Sequence, residues 1–200
     1  MSLDVTDEQS VESSLKAKQA HFGSLNGLVN NAGITRLGEN QNASLQDWRS
    51  QMEVNVVGTH NCCQQLANML IDAKQAGVIV NIASNCGKVG YPNMAGYNAS
   101  KAAVISLTRS LASELAEHNI NVNAICPGGV NTPMLMECAE VVAKKIGEDP
   151  LELFKTMVPA QLGRHIDPVE IGRVAVFLLS EHARIIRDQS INADGGDTPY

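Results

Sequence analysis

Basic charge is scarce in this sequence: its 200 residues carry 15 Lys and Arg against 21 Asp and Glu, a net charge of −6. With so few cations there is no patch to neutralise a run of phosphates, so neither nucleic acid nor an anionic membrane surface is expected as a partner. A long apolar run is also missing; nothing approaches the ~20 residues of a bilayer span. The opening "MSLDVTDEQS" is acidic and polar rather than apolar, unlike a secretory signal, and a cytoplasmic location is expected. The five cysteines (Cys62, Cys63, Cys86, Cys126, Cys138) form no C-x-x-C pair. Set mostly among apolar or small neighbours, they are expected to be buried reduced thiols, consistent with that compartment. The five histidines are scattered without ligand spacing, so no metal site is expected. Repeats, low-complexity tracts and Pro/Gly/Ser linkers are absent as well, and one domain over 1–200 is expected.

What is present is a globular composition, 44% hydrophobic and 18% charged, in which helical and strand patterns alternate. Thr6 and Asp7 can cap a helix that runs to about Phe22 and stops at Gly23. "LNGLVNNAG" reads as a short strand entering a turn. From Ser44 to about Ala73 a long helix carries Trp48, Met52, Val56, Cys63, Leu66 and Leu70 along one stripe. "GVIVNIAS" is almost continuously apolar, as a strand covered on both faces should be. A helix from about Tyr97 to His118 buries Val104, Leu107, Leu111 and Leu115, and "INVNAI" is a further strand, broken by "CPGG". A polar, acidic region with short helical stretches runs to about Phe154. A helix over Pro168 to Ser180 then leads to the short strand "SINA". This alternation predicts an α/β fold, a doubly wound parallel sheet with helices on both faces. Ligands of such sheets bind at the carboxyl ends of the strands, where "NNAG", Ser84 and "CPGG" all fall.

At the start of the helix after "NIAS", the segment "GYNASKAAV" places Tyr97 four residues before Lys101, on one helical face. A bare Tyr-x-x-x-Lys is weak, but Ser84 precedes the tyrosine by 13 residues, at the exit of the strand feeding that helix. Asn55 interrupts an apolar stripe, where a side-chain amide must find partners or cost about 1–3 kcal/mol. It therefore either braces the backbone or holds water in a site.

Taken in order, "NNAG" at 30–33, Asn55 in "VNVVG", Ser84 in "NIAS", "YNASK" at 97–101, "CPGGVNTP" at 126–133 and "ADGG" at 193–196 resemble the short-chain dehydrogenase/reductase family from about Leu3 onward. The resemblance implies a Rossmann-like fold and an NAD(P)-dependent oxidoreductase that interconverts a secondary alcohol and a ketone. Tyr97 would be the general acid/base. Lys101 would lower its pKa and hold the nicotinamide ribose, Ser84 would hydrogen-bond the reacting oxygen, and Asn55 would hold a relay water. For the cofactor, NAD or NADP, Asp4 would contact adenine, and Asn30, Ala32 and Gly33 would line the adenosine side. Pro127, Gly128, Val130 and Thr132 would frame the carboxamide. Asn85, Lys88, Tyr91, Asn93 and Met94 would flank a small polar alcohol or carbonyl substrate such as a sugar, polyol or hydroxyketone, under a lid formed by 134–154. Family members commonly pair the two long helices, so a homo-oligomer, dimer or tetramer, is expected.

Two other readings stay open. One is a 3-oxoacyl-[acyl-carrier-protein] reductase, disfavoured because such members usually carry several basic residues just before the "VIVNIAS" strand, whereas "IDAKQAG" offers only Lys74. The other is a catalytically inactive member acting through protein association. Both matter because the sequence contains no G-x-x-x-G-x-G. Relative to the family, the first two βα units, roughly 30 residues each, would be missing before "LDVTD". The expected consequences are a domain incomplete at its N-terminus, an open apolar edge at "GLVNN", a "SLDV" segment without strand neighbours, and weakened dinucleotide binding.

Overall fold

Branched apolar residues at the strand positions build one parallel sheet. In the computed structural model, which describes residues 3–200, β1 (Gly27–Asn30), β2 (Gly77–Ile82), β3 (Ile120–Pro127) and β4 (Ser190–Ala193) lie side by side in that order. Every pairing is parallel, with Val29 opposite Val80 and Asn81 opposite Ala124. Along β2, Ile79 and Val80 point to opposite faces, and both are fully buried. Ile79 joins Val11, Cys63, Leu66, Leu70 and Val122 beneath α1 (Glu8–Phe22) and α3 (Gly58–Ala73). Val80 joins Ile125 against Ala175 and Leu178 of α7 (Pro168–Leu179). Helices therefore cover both faces, as the doubly wound reading requires.

The helix ends follow local chemistry. Asp7 Oδ1 accepts from Gln9 N at 3.0 Å at the start of α1, and Gly23 closes it at φ 79°. Asp167 and Glu170 form a reciprocal capping box at the start of α7, with Pro168 in its first turn. Inside the sheet, the register partners Asn30 and Asn81 bond at 2.8 Å, and Asn81 Nδ2 donates onward to Thr108 Oγ1 at 3.0 Å. This polar ladder ties β1 and β2 to α4 (Ala95–Glu114).

Three elements differ from expectation. The helix read over Ser44–Ala73 is α2 (Leu45–Met52) and α3 joined by a π turn, Glu53–Val57. The extra residue in that turn rotates the inward face, so Gln51, Asn55, Thr59, Cys62 and Leu66 are buried while Trp48, Met52 and Val56 are only half-buried. In α4 the buried face is Tyr97, Lys101, Val104, Ile105 and Thr108, and Leu107 and Leu111 are half-buried. The acidic region after "CPGG" holds a 14-residue helix, α5 (Pro133–Ile146), and then α6 (Pro150–Thr156). Its stop and start signals were present: Thr132 caps, Pro133 opens, and Gly147 closes in the left-handed region.

Leu3–Val5 carry no strand, and Met1 and Ser2 of that segment lie outside the described residues. Val5 instead packs over Gly58, and its carbonyl accepts from Asn61 Nδ2 at 3.0 Å. No described helix is long and apolar enough to cross a membrane.

Candidate active site

The carboxyl ends of β1, β2 and β3 open into one cleft of about 1170 Å³, large for a small-molecule site. Ser84, Tyr97, Lys101, Gly33, Pro127, Gly128, Val130 and Thr132 all line it. Tyr97 and Lys101 occupy the first turns of α4, and both are buried. Ser84 leaves β2 in an extended conformation and caps the short 3-10 turn Asn85–Gly87, its Oγ accepting from Cys86 N at 3.1 Å.

Lys101 Nζ donates to Ile82 O at 2.8 Å and stands 5.7 Å from the centre of the Tyr97 ring. One carbonyl occupies one of its three N–H donors. Burial pushes this ammonium's pKa down to about 8. The tyrosine moves the other way from the expectation. Burial, reinforced by Cys86, holds its phenol well above the ordinary value, and a hydrogen bond with Ser84 only partly opposes the rise. Desolvation of the buried ring is thus the largest influence on the phenol.

Asn55 does not line the cleft but stands behind it, 1% exposed. Its Oδ1 accepts from Ile34 N at 2.8 Å, and its Nδ2 donates to Ile34 O at 2.9 Å and to Ser100 Oγ at 2.9 Å. Of the two roles open to it, bracing the backbone is the one these contacts display. A Cβ at Gly33 would lie 3.4 Å from both Asn55 Oδ1 and Lys101 Nζ, so the brace, the glycine turn and the lysine are in register.

Of the adenosine-side residues Gly33 lines the cleft, and the others lie elsewhere. Asp4 is exposed, and its Oδ1 accepts from Thr6 N and Thr6 Oγ1, which holds the carboxyl below its usual range. Asn30 is engaged with Asn81 and Cys63 inside the sheet, and Ala32 is exposed outside the cleft lining. The residues present thus fit a nicotinamide ribose, through a buried lysine with N–H groups to spare. Among the described residues there is no Gly-rich strand-to-helix turn for a pyrophosphate.

On the substrate side, Asn85, Tyr91 and Met94 line the cleft, and Asn85 Nδ2 donates to the Tyr91 hydroxyl at 3.2 Å. Lys88 and Asn93 are not part of the lining. Lys88 turns to Ser190 O (2.7 Å) and Tyr200 O (3.0 Å), and Asn93 O accepts from Gly38 N. From α5, Met134, Leu135 and Cys138 line the cleft, and Lys145 further along that helix pairs with Glu39.

Cys86 and Cys138 also line the cleft, a placement that sequence gave no means to find. Burial raises both thiols, Cys138 to about 11, so neither is a thiolate at neutral pH. Gln51 and Thr35 were likewise not anticipated; a glutamine inside a helix's buried stripe was the available signal. Among the described residues no cluster of His, Cys, Asp and Glu could hold a metal ion.

Comparison with known proteins places this geometry. A family model described as enoyl-(acyl carrier protein) reductase matches residues 1–198. The chain is 35% identical to the inactive 2-(S)-hydroxypropyl-CoM dehydrogenase 2 of Xanthobacter autotrophicus, over 98% of this chain and 83% of that one. It is 36% identical to a 3-oxoacyl-[acyl-carrier-protein] reductase of Thermotoga maritima, over 97% and 74%. Among solved structures, sorbitol-6-phosphate 2-dehydrogenase from Erwinia amylovora superposes with a TM-score of 0.91 at 33% identity, covering 100% of this chain and 79% of that one. The actinorhodin polyketide ketoreductase with NADPH superposes at 0.93 and 31% identity, covering 100% and 77%. With the fold, the strand-exit cleft and these relatives in agreement, the chain belongs to the short-chain dehydrogenase/reductase family of oxidoreductases.

Proposed function

We propose that this protein interconverts a secondary alcohol and a ketone on a small oxygenated substrate, with Tyr97 as the general acid/base. The observation that carries this reading is the buried Ser84–Tyr97–Lys101 group at one strand-exit cleft. NAD or NADP, when bound, supplies or accepts the hydride. Ser84 Oγ holds the substrate oxygen beside the phenol, and Tyr97 gives its proton to that oxygen in reduction or takes it in oxidation. A phenol held protonated by burial is ready to act as the acid of the reductive step. Lys101 anchors on Ile82 O and offers its remaining N–H groups to ribose hydroxyls. Asn55 keeps the Gly33–Ile34 backbone against the lysine.

A 3-oxoacyl substrate is a second reading, favoured by the apolar wall of Met94, Leu135 and Cys138 together with the withdrawal of Lys88 from the cleft. Against it stands the chain's net charge of −6, which would repel an acidic carrier. Association of this chain into dimers or tetramers belongs to the same proposal and follows from the family resemblance alone.

Tyr97→Phe tests the assignment. It removes one hydroxyl and is expected to lower kcat by a factor of 10² or more while leaving the melting temperature within a few degrees. Ketone-dependent oxidation of NADH or NADPH is the assay. Retention of more than a tenth of wild-type turnover would remove Tyr97 from the chemistry.

A further inference from the structure

We infer that Asp197 sets the charge selectivity of this cleft, its carboxylate accepting from an O–H or N–H donor of the substrate and turning away substrates that carry an anionic group. The inference deepens the oxidoreductase reading and rests on it. Of the residues lining the cleft, only Lys101 and Asp197 carry a formal charge. Lys101 Nζ lies against Gly33 and donates to Ile82 O. Asp197 Oδ1 accepts from Ala160 N at 2.8 Å. Its Oδ2 takes no hydrogen bond, pairs with no cation among the described residues, and is not one of the polar atoms sealed from solvent. A carboxylate has no donor of its own at neutral pH, so a free oxygen on a largely apolar lining calls for a donor on the ligand.

The chain holds this carboxylate in place through the "ADGG" segment that ends β4. Gly195 and Gly196 turn at φ 64° and 89°, in the left-handed region, and a Cβ on Gly195 would sit 2.6 Å from Pro159 Cβ. Leu162 N donates to Gly195 O at 3.1 Å, and Gln161 Nε2 donates to Gly196 O at 3.2 Å. With Ala160 N on Asp197 Oδ1, residues 195, 196 and 197 are each tied to the 160–162 segment. An acceptor fixed in this way loses little freedom when it takes a ligand.

The neighbouring charges agree in sign. Burial is the largest influence raising the Tyr91 phenol, and Cys86 and Asp197 follow, so the carboxylate's field reaches a second residue of the cleft lining. Asp194, 4% exposed and outside the lining, adds to it from behind, its Oδ1 accepting from Gly196 N at 3.1 Å. Lys88, the cation of the Ser84–Met94 loop, is drawn off to Ser190 O and Tyr200 O. An anionic group beside Tyr91 and Asp197 therefore meets like charge where screening by water is reduced. A hydroxyl or an ammonium meets a free acceptor instead.

The test uses three small ketones that differ in the group beside the carbonyl: hydroxyacetone, aminoacetone and acetoacetate. Their Kd values are measured by ligand-observed NMR on wild type and Asp197→Asn at pH 7, and their reduction is followed with NADH and NADPH. Asparagine keeps an oxygen for Ala160 N and removes the charge. In wild type, acetoacetate is expected to bind at least tenfold more weakly than the better of the other two. In Asp197→Asn the ratio of the acetoacetate Kd to the aminoacetone Kd is expected to fall about tenfold. Tightest binding of aminoacetone identifies an ammonium as the donor, and tightest binding of hydroxyacetone identifies a hydroxyl. Acetoacetate binding wild type as tightly as the others overturns the proposal, and this comparison does not depend on the variant. An unchanged ratio in Asp197→Asn overturns it as well. If the Kd values follow the expected order but no ketone oxidises either dinucleotide, the oxidoreductase reading fails while the role of Asp197 stands. If ketones are reduced with no discrimination by charge, that reading stands and Asp197 falls. If none of the three binds or is reduced, both fall.

Discussion

Lys101 is a cation placed where a cation is expensive, and its position has a pH signature. Burial lowers its pKa from 10.5 to about 8. Between those values the unfolded chain binds a proton that the folded chain has released, so stability rises with pH across that window, and the full penalty applies below pH 8. Lys101→Met removes the group. Urea unfolding of wild type and variant at pH 7.5 and pH 10 should show wild type gaining on the variant by on the order of 3 kcal/mol across the window. Equal slopes would mean that the ammonium is solvated rather than buried. Tyr97 works in the opposite sense: its raised phenol is retained by the folded chain, so its contribution falls as pH rises above 10. At this scale the residue types were legible in the sequence, and their states were not. Tyr97 and Lys101 could be placed on one helical face from spacing, but the direction of the tyrosine shift depends on how completely water is excluded.

Among the elements, the loop from Ser84 to Met94 depends on a close approach that one residue type permits. A Cβ on Gly87 would sit 2.7 Å from Lys101 C and 2.8 Å from Lys101 O, both backbone atoms of α4 that cannot give way. Gly87→Ala must therefore push the 3-10 turn off the helix and carry Ser84 away from Tyr97. The expected cost is about 1–3 kcal/mol of stability and at least a tenfold loss of kcat. Wild-type values for both in the alanine variant would show that the turn adapts without moving Ser84. The π turn at Glu53–Val57 is the corresponding feature behind the cleft, since it turns Asn55 and Gln51 inward together. Apolar periodicity predicted one straight helix here, because a one-residue insertion leaves no composition signal.

For the molecule as a whole, β1 and β4 are the two edges of the sheet among the described residues. β1 exposes Val29 at 37%, beside cleft residues contributed by α7. An apolar strand edge with unpaired backbone groups is a template for self-association. Val29→Lys should reduce concentration-dependent association of the 200-residue chain in light scattering while leaving its circular dichroism unchanged. An identical scattering profile would mean that β1 is not the surface through which copies meet.

Local signals in the chain carried the parallel sheet, the caps of α1, the proline-led start of α7, Ser84 at a strand exit and Tyr97 with Lys101 at the start of the helix that follows. Each of these depends on neighbours a few residues away, and such neighbours act through periodicity and capping chemistry. Tertiary structure alone decided which polar groups stay free for a ligand. Asn30 was absorbed into the Asn81–Thr108 ladder, Asp4 into its own turn and Lys88 into the β4 end, while Lys101 at the cleft spends one N–H on Ile82 O. The physical reason is that a hydrogen bond belongs to a pair. Whether a side chain is available for chemistry depends on partners that only the folded chain brings within reach.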